Sequence, residues 1–151
     1  MLRSHVLISI LGSFLVLGGA ARAQVVDPPD NFQRDPVLSS VHIGLGWATL
    51  ASAMATGILD PHRAGLATHE TLGWTTAALA AATMVFGIAA HWGEVGPGFG
   101  WDANNIHSLL GAAGGTLMMV APLVAPPELH KALGELGTLA MGIAVVWKIV
   151  Y

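Results

Sequence analysis

The sequence contains no cysteine, and only 10% of its 151 residues are charged. The first absence excludes disulfides, thiolate metal sites, iron–sulfur clusters and covalent attachment of a c-type haem. The second excludes an ordinary soluble domain, in which about 25% of residues are charged. A formal net charge of −3 leaves no basic surface for nucleic acid. What remains is apolar, 54% hydrophobic, and gathered into long runs. Any metal or haem must therefore rest on histidine, methionine or carboxylates. The length suits one domain.

Residues 1–23 read as a secretory signal peptide. Arg3 supplies the positive start, Val6 to Ala20 the apolar stretch, and Ala21-Arg22-Ala23 the small-residue cleavage site before Gln24. An uncleaved fifth helix is the alternative. Cleavage would leave residues 24–35 as a polar, proline-rich periplasmic lead-in to a multi-pass protein of a bacterial inner membrane. Residues 36–151 then form the membrane domain.

Asp35-Pro36 is a helix start, the acid capping and the proline sitting in the first turn. Four spans are predicted: Pro36 to Leu59, Leu66 to Ala90, Ala103 to Ala125, and a fourth that starts at Pro126-Pro127-Glu128 and reaches Val150. The link Asp60 to Gly65 carries His62 and Arg63, and a longer connection runs from Gly93 to Asn105. Short links join antiparallel neighbours, so the expected fold is all-α, a transmembrane four-helix up-down-up-down bundle. Arg63 and Lys131 on one side balance Arg34 and Lys148 on the other, so positive charge does not orient the chain. Orientation rests on the signal peptide.

A five-residue pattern recurs four times: His42-Ile43-Gly44-Leu45-Gly46, His69-Glu70-Thr71-Leu72-Gly73, His107-Ser108-Leu109-Leu110-Gly111 and His130-Lys131-Ala132-Leu133-Gly134. Each reads His-x-x-Leu-Gly and opens an apolar run of about twenty residues, the length of a bilayer span. A lone histidine near the end of such a span is usually interfacial. Four in one phase point to function, because polar groups within a membrane are costly. Residues i and i+4 share a helix face, so Gly46, Gly73, Gly111 and Gly134 each leave bare backbone beside a histidine, clearance for a flat cofactor.

Alternation of the helices places His42 and His107 at the outer side and His69 and His130 at the cytoplasmic side. Each pair comes from helices one apart, diagonal partners across a bundle core. Two facing imidazoles supply the axial bonds of a b-type haem and fall short of the three or four ligands of a zinc site. Two b haems are expected, outer on His42 and His107, inner on His69 and His130. The stripes continue through Gly114 and Met118, Gly137 and Met141, Thr49 and Ala53, Thr76 and Ala80. Tight packing of small residues is the competing account of these stripes.

Asn105-Ile106-His107-Ser108-Leu109-Leu110-Gly111 resembles the His-Ser-x-Leu-Gly signature of the cytochrome b561 superfamily, and His130-x-x-Leu-Gly is similar to that family's next helix. The resemblance covers all four spans. It implies four core helices with one haem-ligating histidine each, the first and third holding one haem and the second and fourth the other. The chain departs from the many six-helix members. It also offers only Arg63 and Lys131 near the cytoplasmic haem, so ascorbate is not carried over as donor.

His91, at the outer end of the second span, is a further candidate: an interfacial residue beside Trp92, or a lining or replacement ligand of the outer haem. Glu135 is read as a proton relay or a headgroup-level carboxylate, and Trp47 and Trp74 as residues that stack near the haems. The function expected is transmembrane electron transfer between a quinol or soluble donor and an acceptor protein. The chain would act as an electron-transfer protein or a subunit of an oxidoreductase, in contact with membrane lipid, as a homodimer or within a larger complex. Two alternatives stand beside it: a haem-free membrane anchor subunit of a respiratory complex, and a histidine-based transition-metal carrier.

Overall fold

A computed structural model describes residues 35–59, 61–91 and 103–150. The expected signal peptide and most of the lead-in, together with most of the Gly93–Asn105 connection, lie outside the described residues. Four long helices make up the remainder: α1 (Pro36–Ile58), α2 (Leu66–His91), α3 (Ala103–Val120) and α4 (Pro127–Val150). By length and composition, each α-helical stretch, α3 with the short 3-10 turn that extends it to Leu123, is long and apolar enough to cross a membrane.

The helix boundaries follow from local chemistry. Asp35 Oδ1 accepts from the backbone N–H groups of Val37 at 2.8 Å and Leu38 at 3.2 Å, which satisfies donors the first turn leaves unpaired. The first connection holds a single helical turn, Pro61–Ala64. Gly65 ends it at φ +85°, a backbone state open mainly to glycine. The α-helical part of α3 stops at Val120, earlier than the sequence suggests, because Pro122 forces a 3-10 turn over Ala121–Leu123. The second span, by contrast, reaches one residue further than expected and includes His91.

Packing is tightest between α1 and α2 and between α3 and α4. The α2–α3 contact comes next, and the α1–α4 contact is slighter. Large apolar side chains face outward: Ile43, Ile58, Leu66, Val85, Leu136 and Ile149 are all exposed. The interior is built from small or soft groups, with Leu50, Ala53, Ala80, Met118 and Met141 forming the core cluster and Val145 packed against it. This inverts the pattern of a soluble bundle. Lipid solvates the bulky residues, and small residues let the helix backbones approach.

Two glycines make the α3–α4 approach. A Cβ on Gly114 would lie 2.7 Å from the backbone nitrogen of Met141, and one on Gly137 would lie 2.9 Å from the carbonyl oxygen of Gly114. Between α1 and α2 the seam is polar. The hydroxyls of Thr49 and Thr83 hydrogen-bond at 2.8 Å, and those of Ser52 and Thr76 at 2.8 Å. Each hydroxyl has a single proton to donate, so within the Thr49–Thr83 pair one donates to the other and the second to the carbonyl four residues back, while Ser52 can donate to Thr76 as Thr76 donates to Leu72, which meets the need to satisfy polar groups away from water.

Candidate histidine sites

The four pattern histidines meet in two places, at opposite ends of the bundle. His42 at the start of α1 and His107 at the start of α3 have ring centres 5.8 Å apart. His69 at the start of α2 and His130 at the start of α4 have ring centres 6.0 Å apart. The ends are well separated: His69 and the α2 carbonyl that meets His42 are 14 residues apart, roughly 20 Å of helix. Each pair draws on helices that are not sequence neighbours.

All four rings are held in the same way. His42 Nδ1 donates to the carbonyl of Thr83 at 3.0 Å, and His107 Nδ1 to that of Ala144 at 2.9 Å. His69 Nδ1 donates to the carbonyl of Leu59 at 3.1 Å, and His130 Nδ1 to that of Ala121 at 2.7 Å. A carbonyl oxygen only accepts, so the proton of each neutral ring resides on Nδ1. Nε2 is then left with its lone pair available, as a metal-bound histidine requires.

The carbonyls come from two sources. Leu59 lies at the end of α1, where helix carbonyls lack an intrahelical partner, and Ala121 opens the 3-10 turn after α3, its carbonyl accepting from Val124 N–H at 3.2 Å as well as from His130. His69 and His130 each cap the helix before their own. Thr83 and Ala144 lie inside α2 and α4, so His42 and His107 reach across to the flank of the neighbouring helix. For His42 that reach depends on Gly87: a Cβ there would lie 2.7 Å from Cε1 of the ring. The sequence reading did not single out Gly87. Its signal is absent, because nothing local distinguishes it from the other helix glycines.

The glycines of the stripes separate into two kinds. Gly114 and Gly137 are closed by backbone of the facing helix, so packing accounts for them. A Cβ on Gly73, Gly111 or Gly134 would meet nothing within 4 Å, and one on Gly46 only Thr83 Cγ2 at 3.9 Å. The glycines of the His-x-x-Leu-Gly pattern thus have room beside them.

A third histidine joins the His42 end. The His91 ring lies 5.4 Å from that of His42 and 6.0 Å from that of His107. One nitrogen from each of the three falls within 4.8 Å of the others. His91 is thus part of the cluster rather than only an interfacial neighbour of Trp92. The His69 end holds two histidines and, among the described residues, no such group of three.

Other candidates move outward. Trp47 and Trp74 are about half exposed, on the bundle surface rather than in its interior. Helix phase places them there: each follows its glycine by one residue, about 100° round the helix. Glu135 is exposed and pairs with Lys131 at 3.7 Å, one turn back on the same face. At the far end of α4, Lys148 donates to Asn104 Oδ1 and ties the end of α4 to the start of α3. Comparison with protein-family models, with curated proteins and with solved structures finds no match for this chain.

Proposed function

We propose that this chain is a b-type cytochrome of the cytochrome b561 kind, which carries electrons across a bacterial inner membrane. One haem would sit between His42 and His107 at the outer face, and one between His69 and His130 at the inner face. The observation that carries this reading is the shared Nδ1-to-carbonyl bond of all four histidines within two diagonal pairs. Capping of a helix end accounts for the His69 and His130 bonds taken singly; the same tautomer in both diagonal pairs is what supports haem ligation.

The donor set fits the group. Two imidazoles bound on opposite sides of one metal at about 2.0 Å each have ring centres roughly 6 Å apart, close to the 5.8 and 6.0 Å of the two pairs. Gly46 and Gly111 at one site, and Gly73 and Gly134 at the other, supply clearance. At the inner pair the ring spacing alone supports this reading; at the outer pair the His91 ring would also have to turn aside. Contacts running in opposite chain order, His42 with Thr83 and Thr56 with Thr76, make α1 and α2 antiparallel, as an up-down-up-down bundle requires of its first pair.

Bound b haem supplies one-electron chemistry at a potential set by its ligands and surroundings. The chain's own residues do the rest. The four carbonyls fix ring orientation and raise the basicity of each Nε2. The core cluster of Leu50, Ala53, Ala80, Met118 and Met141 keeps water from the path between the two ends. A quinol or a soluble reductant would be the donor, and a protein on the other side the acceptor. A pyridine haemochrome assay on the purified full-length protein should find about two b haems per chain. A well-folded sample free of haem would overturn the reading.

A further inference from the structure

The two ends of the bundle are not equivalent, and the difference is His91. The rings of His42, His91 and His107 form a nearly equilateral triangle with sides of 5.4, 5.8 and 6.0 Å. Three imidazoles bound to a single tetrahedral ion at about 2.0–2.1 Å have ring centres roughly 5–5.5 Å apart. Small rotations of the side chains close that gap. A flat macrocycle held between His42 and His107 would instead extend through the place where the His91 ring stands. As the rings lie, the triangle suits an ion better than a plane.

We propose that His42, His91 and His107 form a three-imidazole site for one zinc-class divalent ion, and that ion and outer haem exclude each other. Three protein nitrogens and a fourth position left to solvent or a small ligand are the donor set of an open zinc site, and imidazole suits zinc. Two of the three ligands are already oriented: His42 and His107 carry their proton on Nδ1, toward the Thr83 and Ala144 carbonyls. The ion meets Nε2 lone pairs, so binding displaces no proton from these two rings. The three ligands come from α1, α2 and α3, and the ion clamps three helices at one end of the bundle. Among the described residues the His69 end, with two histidines, holds no matching site.

The zinc site stands on the triangle alone; its exclusion of haem rests on the two-haem reading. The test uses tag-free full-length protein in detergent, prepared once from haem-limited cells and once fully haem-loaded. Zinc is added, excess is removed by gel filtration, and bound metal is counted by mass spectrometry. Haem-poor protein should retain about one zinc per chain. His91→Ala should bind at least about tenfold more weakly while keeping full haem-loading capacity, which also reports that it folds. His91→Cys, a thiolate in the same place, should restore binding, and His69→Ala should leave zinc uptake unchanged. The fully haem-loaded protein should take none.

Zinc uptake that His91→Ala does not weaken would overturn the site, as would absence of uptake by haem-poor protein. Zinc and two haems on one chain would overturn the exclusion. Protein that never binds haem yet still takes zinc through His91 would sink the cytochrome reading and leave this site standing.

Discussion

At the scale of single residues, the glycines separate two explanations that composition alone leaves merged. Gly111 and Gly134 have open space beside them, whereas Gly114 and Gly137 press on backbone. Gly111→Leu should therefore leave the helices intact, and even favour them, since glycine costs a helix about 1 kcal/mol relative to a good helix former. It should still abolish the outer haem, and Gly134→Leu the inner one. Circular dichroism and reduced-minus-oxidised spectra read the two effects separately. Retention of both haems by both variants would show that these glycines clear nothing. Gly87→Val acts at a distance. Its side chain meets the His42 ring, breaks the bond to the Thr83 carbonyl, and should cost the outer haem alone. Normal outer-haem spectra in that variant would mean that His42 does not need this anchor.

At the scale of helices, the seams differ in kind and should respond differently. α3 and α4 touch through glycine backbone, so Gly114→Val overpacks the seam and should cost about 1–3 kcal/mol. Because both sites use α3 and α4, both haems should be weakened, unlike the single losses at Gly111 and Gly134. α1 and α2 meet through hydroxyls. Thr49→Val removes the Thr49–Thr83 bond, and side-chain bonds between membrane helices average only about 0.6 kcal/mol. Unfolding of the detergent-solubilised protein should shift by about that amount, with both haems retained. A Thr49→Val cost above that of Gly114→Val would reverse this ranking of the seams.

At the scale of the whole bundle, the two sites lie at opposite ends and share no ligand. Loss of a histidine should then be felt only at its own end. His69→Ala and His130→Ala should each remove the inner haem and spare the outer. A double variant of that pair should add little to either single, because the site is already broken. Redox titration of each variant provides the count. If His69→Ala removed the His42–His107 haem, the pairing would be wrong. The intact mass of membrane-extracted protein is expected to lack residues 1–23, with Gln24 as the mature N-terminus; a full-length mass would remove the basis for placing the His42 end outside.

The sequence by itself determined the four apolar helices of the described residues, their approximate ends and the four histidines. These are periodic and local features: apolar length, an Asp-Pro start, a repeated His-x-x-Leu-Gly. The four helices appear within a few residues of their predicted limits, and the largest error falls at Pro122, where a 3-10 turn replaces the last part of α3. Only the tertiary structure decided what each small residue does. Gly111 and Gly114 are three residues apart in one stripe, yet one faces open space and the other the backbone of α4. That depends on where the neighbouring helix lies, which no local pattern encodes. The same holds for the four carbonyls that orient the rings, because every backbone has carbonyls and sequence cannot say which one a side chain reaches. It holds for His91 as well. In sequence it is the last residue of a helix, beside a tryptophan at the membrane edge. Its place with His42 and His107 arises because the end of α2 meets the starts of α1 and α3, a juxtaposition that long-range packing alone creates.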